Sequence, residues 1–247
     1  MIVRTVGAMH YLIAQREHAR QSAVLTAALD TEWLGGAEEA ASVIRATAAH
    51  DDGWAEWREQ PRFARNGLPV NFDNLEADEH EAIWQRSIFS ALHQLGPAEA
   101  AIIARHSLAL LKHTDEDSRS ARADLVKALA LRAWPESLAS ARVEQGFAAL
   151  LLGDLLSLLA AAGWSGRHTV ELHGYGERRL PVECWRDDEW TVRVNPWPFP
   201  VPELRNVHLD AVAIPVGEEA TCAERLAQAP SNLIRVAVDY LPMEGTS

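Results

Sequence analysis

Four side chains, His18, His50, Asp51 and Asp154, are of the types that hold a metal ion. Imidazole nitrogen and carboxylate oxygen together suit a divalent transition metal, or a harder ion with water in its open positions. The adjacent pair is the most pointed signal. In residues 48–57 an amphipathic helical pattern breaks off into His50, Asp51, Asp52, Gly53, Trp54 and Trp57. Neighbouring residues can both face one ion only where the backbone leaves ideal helix geometry, and Gly53 reads as a residue taking positive φ just past a helix end. An isolated His-Asp pair is more often a solvated helix terminus, so partners must come from elsewhere. Asp154 is the second signal, because Leu150, Leu151, Leu152, Leu155, Leu156, Leu158 and Leu159 surround it on nearly every side. An unpaired buried carboxylate costs several kcal/mol, so Asp154 needs Arg105, Arg142, a buried histidine or a metal.

The elements that would position these groups follow from hydrophobic periodicity. Residues 1–6 and 9–13 read as strands around a Gly7-Ala8 turn. Helices are expected over 15–29 (His18 sharing a face with Ser22 and Leu25), 37–49, 78–95, 98–113 after an N1 proline at Pro97, 118–134, and 136–162. A histidine on a face that also carries Ala and Leu is more often a hydrogen-bonded core residue than a ligand. The 61–75 connection is long enough to be a lid, and Trp54, Trp57 and Phe63 either anchor it or wall a pocket. Beyond Gly163 the pattern changes to alternating strands at 168–172, 180–185, 190–194, 207–215 and 233–241, with a short helix at 220–229. Residues 195–200 hold three prolines and read as an extended strap. Two regions result: a helical, metal-binding region at 1–163 that includes the 1–13 hairpin, and a β-rich lobe at 164–247.

Composition bounds the function. A net charge of −12 disfavours a nucleic-acid backbone as partner but leaves room for a small phosphorylated ligand. Two cysteines, Cys184 and Cys222, are too few for a disulfide framework or a thiolate zinc site. The start lacks the long apolar run of a signal peptide, so a soluble, cytoplasmic protein without a membrane partner is expected, whether monomer or homo-oligomer.

A histidine, then His-Asp-x-Gly at a helix end, then a lone Asp on a late helix resembles the HD-domain superfamily of metal-dependent phosphohydrolases. The likeness covers residues 15–162, with His50-Asp51-Asp52-Gly53 matching its motif and Asp154 in the place of its final Asp. More narrowly, residues 18–22, 50–57, 152–158 and 195–199 resemble the bacterial DUF3891 proteins, a family of uncharacterised function. The resemblance implies an α+β, mainly α fold: an HD-domain-like helical bundle with a smaller C-terminal β-rich lobe. It implies a divalent ion (Mn, Mg, Ni, Zn or Fe) on His18, His50, Asp51 and Asp154, acidifying a water for attack on a small phosphoester or nucleotide. His106, or less directly His80, His93 or His113, stands where two-metal members carry extra histidines. Asp51, Asp52 and His106 are then the catalytic candidates, Asp52 orienting water or capping the helix. Trp54 replaces the lysine that many members carry after the glycine, so substrate contacts fall to Trp54, Trp57, Arg58 and Arg105, with Arg62, Arg65 and Arg86 as further candidates for phosphate. Two other readings stand: a di-iron oxygenase, and an inactive module that binds a small ligand.

Overall fold

The computed structural model describes residues 1–56, 61–111, 116–176, 178–228 and 233–243. Strands β1 (Ile2–Val6) and β2 (Met9–Ile13) form a hairpin turned at Gly7, whose φ of 57° suits a residue without a Cβ. Six helices follow: α1 (Gln15–Ala27), α2 (Ala37–Ala49), α3 (Ala77–Gln94), α4 (Pro97–Leu110), α5 (Glu116–Ala133) and α6 (Glu136–Ala161). Then come β3 (Arg167–His173), β4 (Arg179–Arg186), β5 (Thr191–Asn195), β6 (Leu204–Pro215), a short α7 (Cys222–Ala227) and β7 (Leu233–Pro242). Each matches an expected element to within a few residues. Pro97 occupies the first turn of α4, where its missing amide hydrogen costs nothing.

The sheet overturns the expected architecture. A helical bundle with a smaller C-terminal β-rich lobe does not describe a chain that is about 53% helix and 23% strand, the strands forming one curled, mixed sheet. Its order is β1-β2-β6-β7-β5-β4-β3. The hairpin assigned to the helical region pairs antiparallel with β6, from Met9 opposite Pro215 to Leu12 opposite Val212. β5 and β7 run parallel. Alternation in a sequence reports that a strand exists and which face is apolar, but not which strand will satisfy its free edge.

α6 is the element around which the rest packs. It is long and apolar enough to cross a membrane, yet 89% of its apolar window is buried inside the fold. One main core joins Ile13 of the hairpin, Leu25 and Ile103 of the helices, Leu156 and Leu159 of α6, and Leu172, Val194 and Tyr240 of the sheet. The strap after β5 serves this core. Phe199 is buried in it, and the Trp197 ring packs against Phe199 at 4.7 Å.

Candidate metal centre

Three helices and the turn after α2 bring five donor residues into one largely buried cluster. Asp154 on α6 sits at the middle. His18 Nε2 of α1 lies 2.7 Å from its Oδ1, His50 Nε2 lies 3.3 Å from the same oxygen, and His106 Nε2 of α4 lies 3.6 Å from Oδ2. Asp51 Oδ2 is 3.7 Å from His50 Nε2. Two triads, His18-His50-Asp51 and His50-His106-Asp154, each have their ligand atoms within 4.8 Å of one another. The three imidazoles are packed edge to face, with centroids 5.6 Å apart for His18 and His50 and 5.4 Å for His50 and His106.

Local structure explains how the pair converges. α2 ends at His50, with φ −60° and ψ −25°, and Asp51 moves out of helix geometry to φ −106° and ψ 14° before a 3-10 turn at Asp52–Trp54. Gly53 is not among the glycines with positive φ. Its expected role is therefore corrected: a Cβ there would stand 2.0 Å from the Ile83 carbonyl oxygen and 2.8 Å from Ser87 Oγ, so glycine is required for close approach to α3. The Gly53 amide donates to Ser87 Oγ at 2.9 Å. Gly153 plays the same part between α6 and α1, since a Cβ would meet Thr26 Oγ1 at 2.3 Å and the Ser22 carbonyl oxygen at 2.7 Å.

The imidazoles are oriented from behind. His50 Nδ1 donates to the Thr47 carbonyl at 2.7 Å, which leaves Nε2 facing the carboxylates. His18 Nδ1 lies 2.8 Å from Ser157 Oγ, and Ser157 donates its hydroxyl hydrogen to Gln21 Oε1 at 2.8 Å, so Ser157 accepts from His18 Nδ1–H. Both rings thus turn Nε2 inward, where in the metal-free chain its hydrogen is donated to Asp154 and where, once that hydrogen is lost, it offers a lone pair in the arrangement by which histidines hold metals. His106 Nδ1 is buried without a hydrogen-bond partner among the described residues. These donors fit a divalent ion. Ser157→Ala should leave the fold intact and weaken metal binding about 10- to 100-fold, the usual loss when an outer partner of a ligating histidine is removed; equilibrium dialysis checks it.

Electrostatics agree with a carboxylate-centred cluster. Burial opposes the charge on His50, but Asp51, Asp154 and the Thr47 carbonyl raise its pKa to about 10. Burial also opposes ionisation of Asp154, and hydrogen bonds from His18 and His50 nonetheless hold it well below the usual carboxylate range. His106 is pushed down to about 4, mainly by burial, against the pull of Asp154. The carboxylates Asp51 and Asp154 keep 12% and 10% of their side chains exposed, against 2% for His50, so solvent reaches the centre at its acids. Beside it Asp52 is half-buried, and burial raises its pKa while the charge of Arg16 lowers it.

The remaining expected site residues fall elsewhere. Arg105 is engaged by Glu144 through two hydrogen bonds, at 2.5 and 3.1 Å, and its guanidinium lies over Phe147. Arg142 pairs with Glu39, and Asp154 is satisfied by histidines instead. Arg62 pairs with Glu79, and Arg86 donates to the Gly53 carbonyl. Trp54 is buried edge-on to His80, whose ring stacks on Trp84; both are packing contacts. His93 is exposed on α3. Trp57, Arg58 and His113 lie outside the described residues. Asp52 does not act as an N-cap: Asp51 occupies the cap position of the 3-10 turn, without a side-chain cap bond. Sequence reasoning does not single out Ser157, Gln21, Thr47 or Arg16. Ser157 stands three residues after Asp154 and Thr47 three before His50, the helical spacing that places a neighbour on the same face.

A family model, described as a protein of unknown function (DUF3891), matches residues 1–215. No curated protein and no solved structure matches the chain.

Proposed function

Because the chain belongs to the DUF3891 family, whose function is unassigned, its activity has to be argued from the centre, and we propose that it is a metal-dependent hydrolase of small phosphoesters, related to the HD superfamily. The observation that carries this reading is the clustering of His18, His50 and His106 around Asp154, with Asp51 3.7 Å from His50. His18, His50, Asp51 and Asp154 would hold the ion, with His106 as a further ligand. Three imidazoles favour Mn, Fe, Ni or Zn over Mg. A divalent ion supplies Lewis acidity and an acidified water near neutral pH.

The chain's own residues do the rest. His106, kept neutral by burial, offers a lone pair or a proton next to Asp154 without adding charge. Asp52 stands at the solvent side, where a raised pKa suits a group that orients water and takes its proton. Arg16, exposed on the first turn of α1 and electrostatically linked to Asp52, replaces Arg105 as the group that neutralises a phosphate. The acidic surface favours a small ligand over a nucleic-acid polymer, and cytoplasmic residence is consistent with two free, buried cysteines.

The test is elemental analysis of purified protein, followed by phosphomonoester and diester panels with each metal. Metal-dependent turnover that disappears in His50→Ala supports the reading. Bound iron with a visible absorption band and oxygen consumption would favour an oxygenase built on the same three histidines. Metal affinity should also rise with pH. With its pKa raised to about 10, His50 carries a proton at neutral pH that competes with the ion for Nε2. Each unit of pH below that value should therefore cost roughly tenfold in affinity, with at least one proton released per ion bound. Calorimetry in buffers of different ionisation enthalpy measures that release.

A further inference from the structure

A cavity of about 250 Å3 lies beside β1, lined by residues 3–7, by Ala162 and Gly163 just past α6, and by Arg186 and Glu189 at the β4–β5 connection. It stands about two helical turns beyond Asp154 along the α6 direction, apart from the metal centre. β1 is an edge strand. The Val3 amide donates to Asn71 Oδ1 at 3.1 Å and not to β2. In an antiparallel ladder Thr5, two residues on, also turns its backbone amide to the open side.

The charge in this cavity is unusual. Arg4 is 5% exposed; its guanidinium donates to the carbonyl oxygens of Ala160 and Glu189 and lies 3.9 Å above the Trp190 ring. Arg186 makes long bonds to the carbonyls of Trp164, at 3.4 Å, and Asp188, at 3.3 Å. Burial first, and then the charge of Arg186, lowers the Arg4 pKa to about 10, so the two guanidiniums are close enough to repel. Asp188 and Glu189 lie within electrostatic range. Among the described residues, however, neither arginine has a carboxylate at ion-pair distance, and their partners are neutral carbonyls. Two neighbouring guanidiniums whose nearest acids, Asp188 and Glu189, stand beyond ion-pair distance among the described residues still present unpaired positive charge to the cavity, an attraction for an anion.

We propose that this cavity binds a small molecule through an oxyanion, a phosphate or carboxylate group gripped by Arg186, with Arg4 as the fixed buried charge and the Thr5 amide as a further donor. The site is independent of the metal chemistry. Isothermal titration of the full chain with inorganic phosphate and, separately, with acetate tests it. The expected result is saturable binding of at least one anion, weakened roughly tenfold or more by Arg186→Gln and unchanged by His50→Ala. Tighter phosphate binding identifies a phosphorylated ligand, and tighter acetate binding a carboxylate. Thermal melting establishes that each variant folds; if Arg186→Gln does not, Arg186→Lys, which keeps the charge but loses the planar fork, should show a smaller loss. Absence of saturable binding for both anions, an unchanged affinity in the folded arginine variant, or a loss caused by His50→Ala would overturn the proposal.

Discussion

On the proposed reading, Asp154→Ala should abolish metal retention. The carboxylate is the acceptor shared by His18 and His50, with His106 close to its second oxygen, so no single remaining ligand can replace it. Loss of a ligand at the middle of the set should exceed the 100-fold or so that losing an outer partner can cost. Metal content should fall to background and any hydrolytic turnover with it. Stability should drop as well, because removing one partner of a buried pair leaves the other charge uncompensated, typically costing about 3–5 kcal/mol. The acid limb carries a separate signature. Asp154 has a depressed pKa in the folded chain, so its contribution is present above the unfolded value of about 3.9 and is lost as pH falls through the folded one. Metal-free wild-type protein should therefore lose stability steeply in acid, and the variant should lose much less over the same range. Asp154→Asn, which keeps the shape, separates charge from packing: it should fold and still fail to retain metal. Elemental analysis, and denaturant titration from pH 7 down through the acid range below the unfolded value, measure both effects. A variant that keeps its metal would remove Asp154 from the centre.

How much of this can be read from the chain depends on the range of the interaction involved. The break after Ala49 and the carboxylate inside a leucine-rich helix are local signals, and they lead to the residues that converge: His50, Asp51 and Asp154. His18 is legible only through order and resemblance, because one imidazole on an apolar face does not reveal what it faces. Its partner Ser157 is read from the helix repeat only after Asp154 is accepted as inward-facing. The two-lobe architecture failed for a different reason. β2 and β6 are separated by the whole helical region, and strand alternation carries no information about which edges meet. The engagement of Arg105 was not legible because a guanidinium in sequence looks available until its acid is known, and Glu144 comes from another helix. Long-range pairing is thus the common gap.

Gly53→Ala should be damaging for so small a change, and it distinguishes two meanings of the same motif glycine. A glycine that supplies positive φ tolerates Asn better than Ala, because asparagine enters the left-handed region readily. A glycine that supplies space tolerates Asn worse. At Gly53 the obstacle is the Ile83 carbonyl oxygen, 2.0 Å from where a Cβ would stand, and a helix carbonyl cannot rotate away. Either the turn or α3 must shift, and overpacking of this kind costs about 1–3 kcal/mol, occasionally more. For a chain of this size that is a fall in Tm of about 2–4 °C per kcal/mol. The shift would also carry Asp51, two residues away, out of line with His50, so metal affinity should fall together with stability. Gly53→Asn should be worse than Gly53→Ala on both counts. Gly7 is the control: at φ 57°, with no atom within 4 Å of the position a Cβ would take, Gly7→Asn should cost little and leave metal binding unchanged. Thermal melts and metal titrations of the three variants decide the matter. If Gly53→Asn proved milder than Gly53→Ala, conformational freedom and not close approach would be what the motif requires, and the geometry that aims Asp51 at the centre would need another explanation.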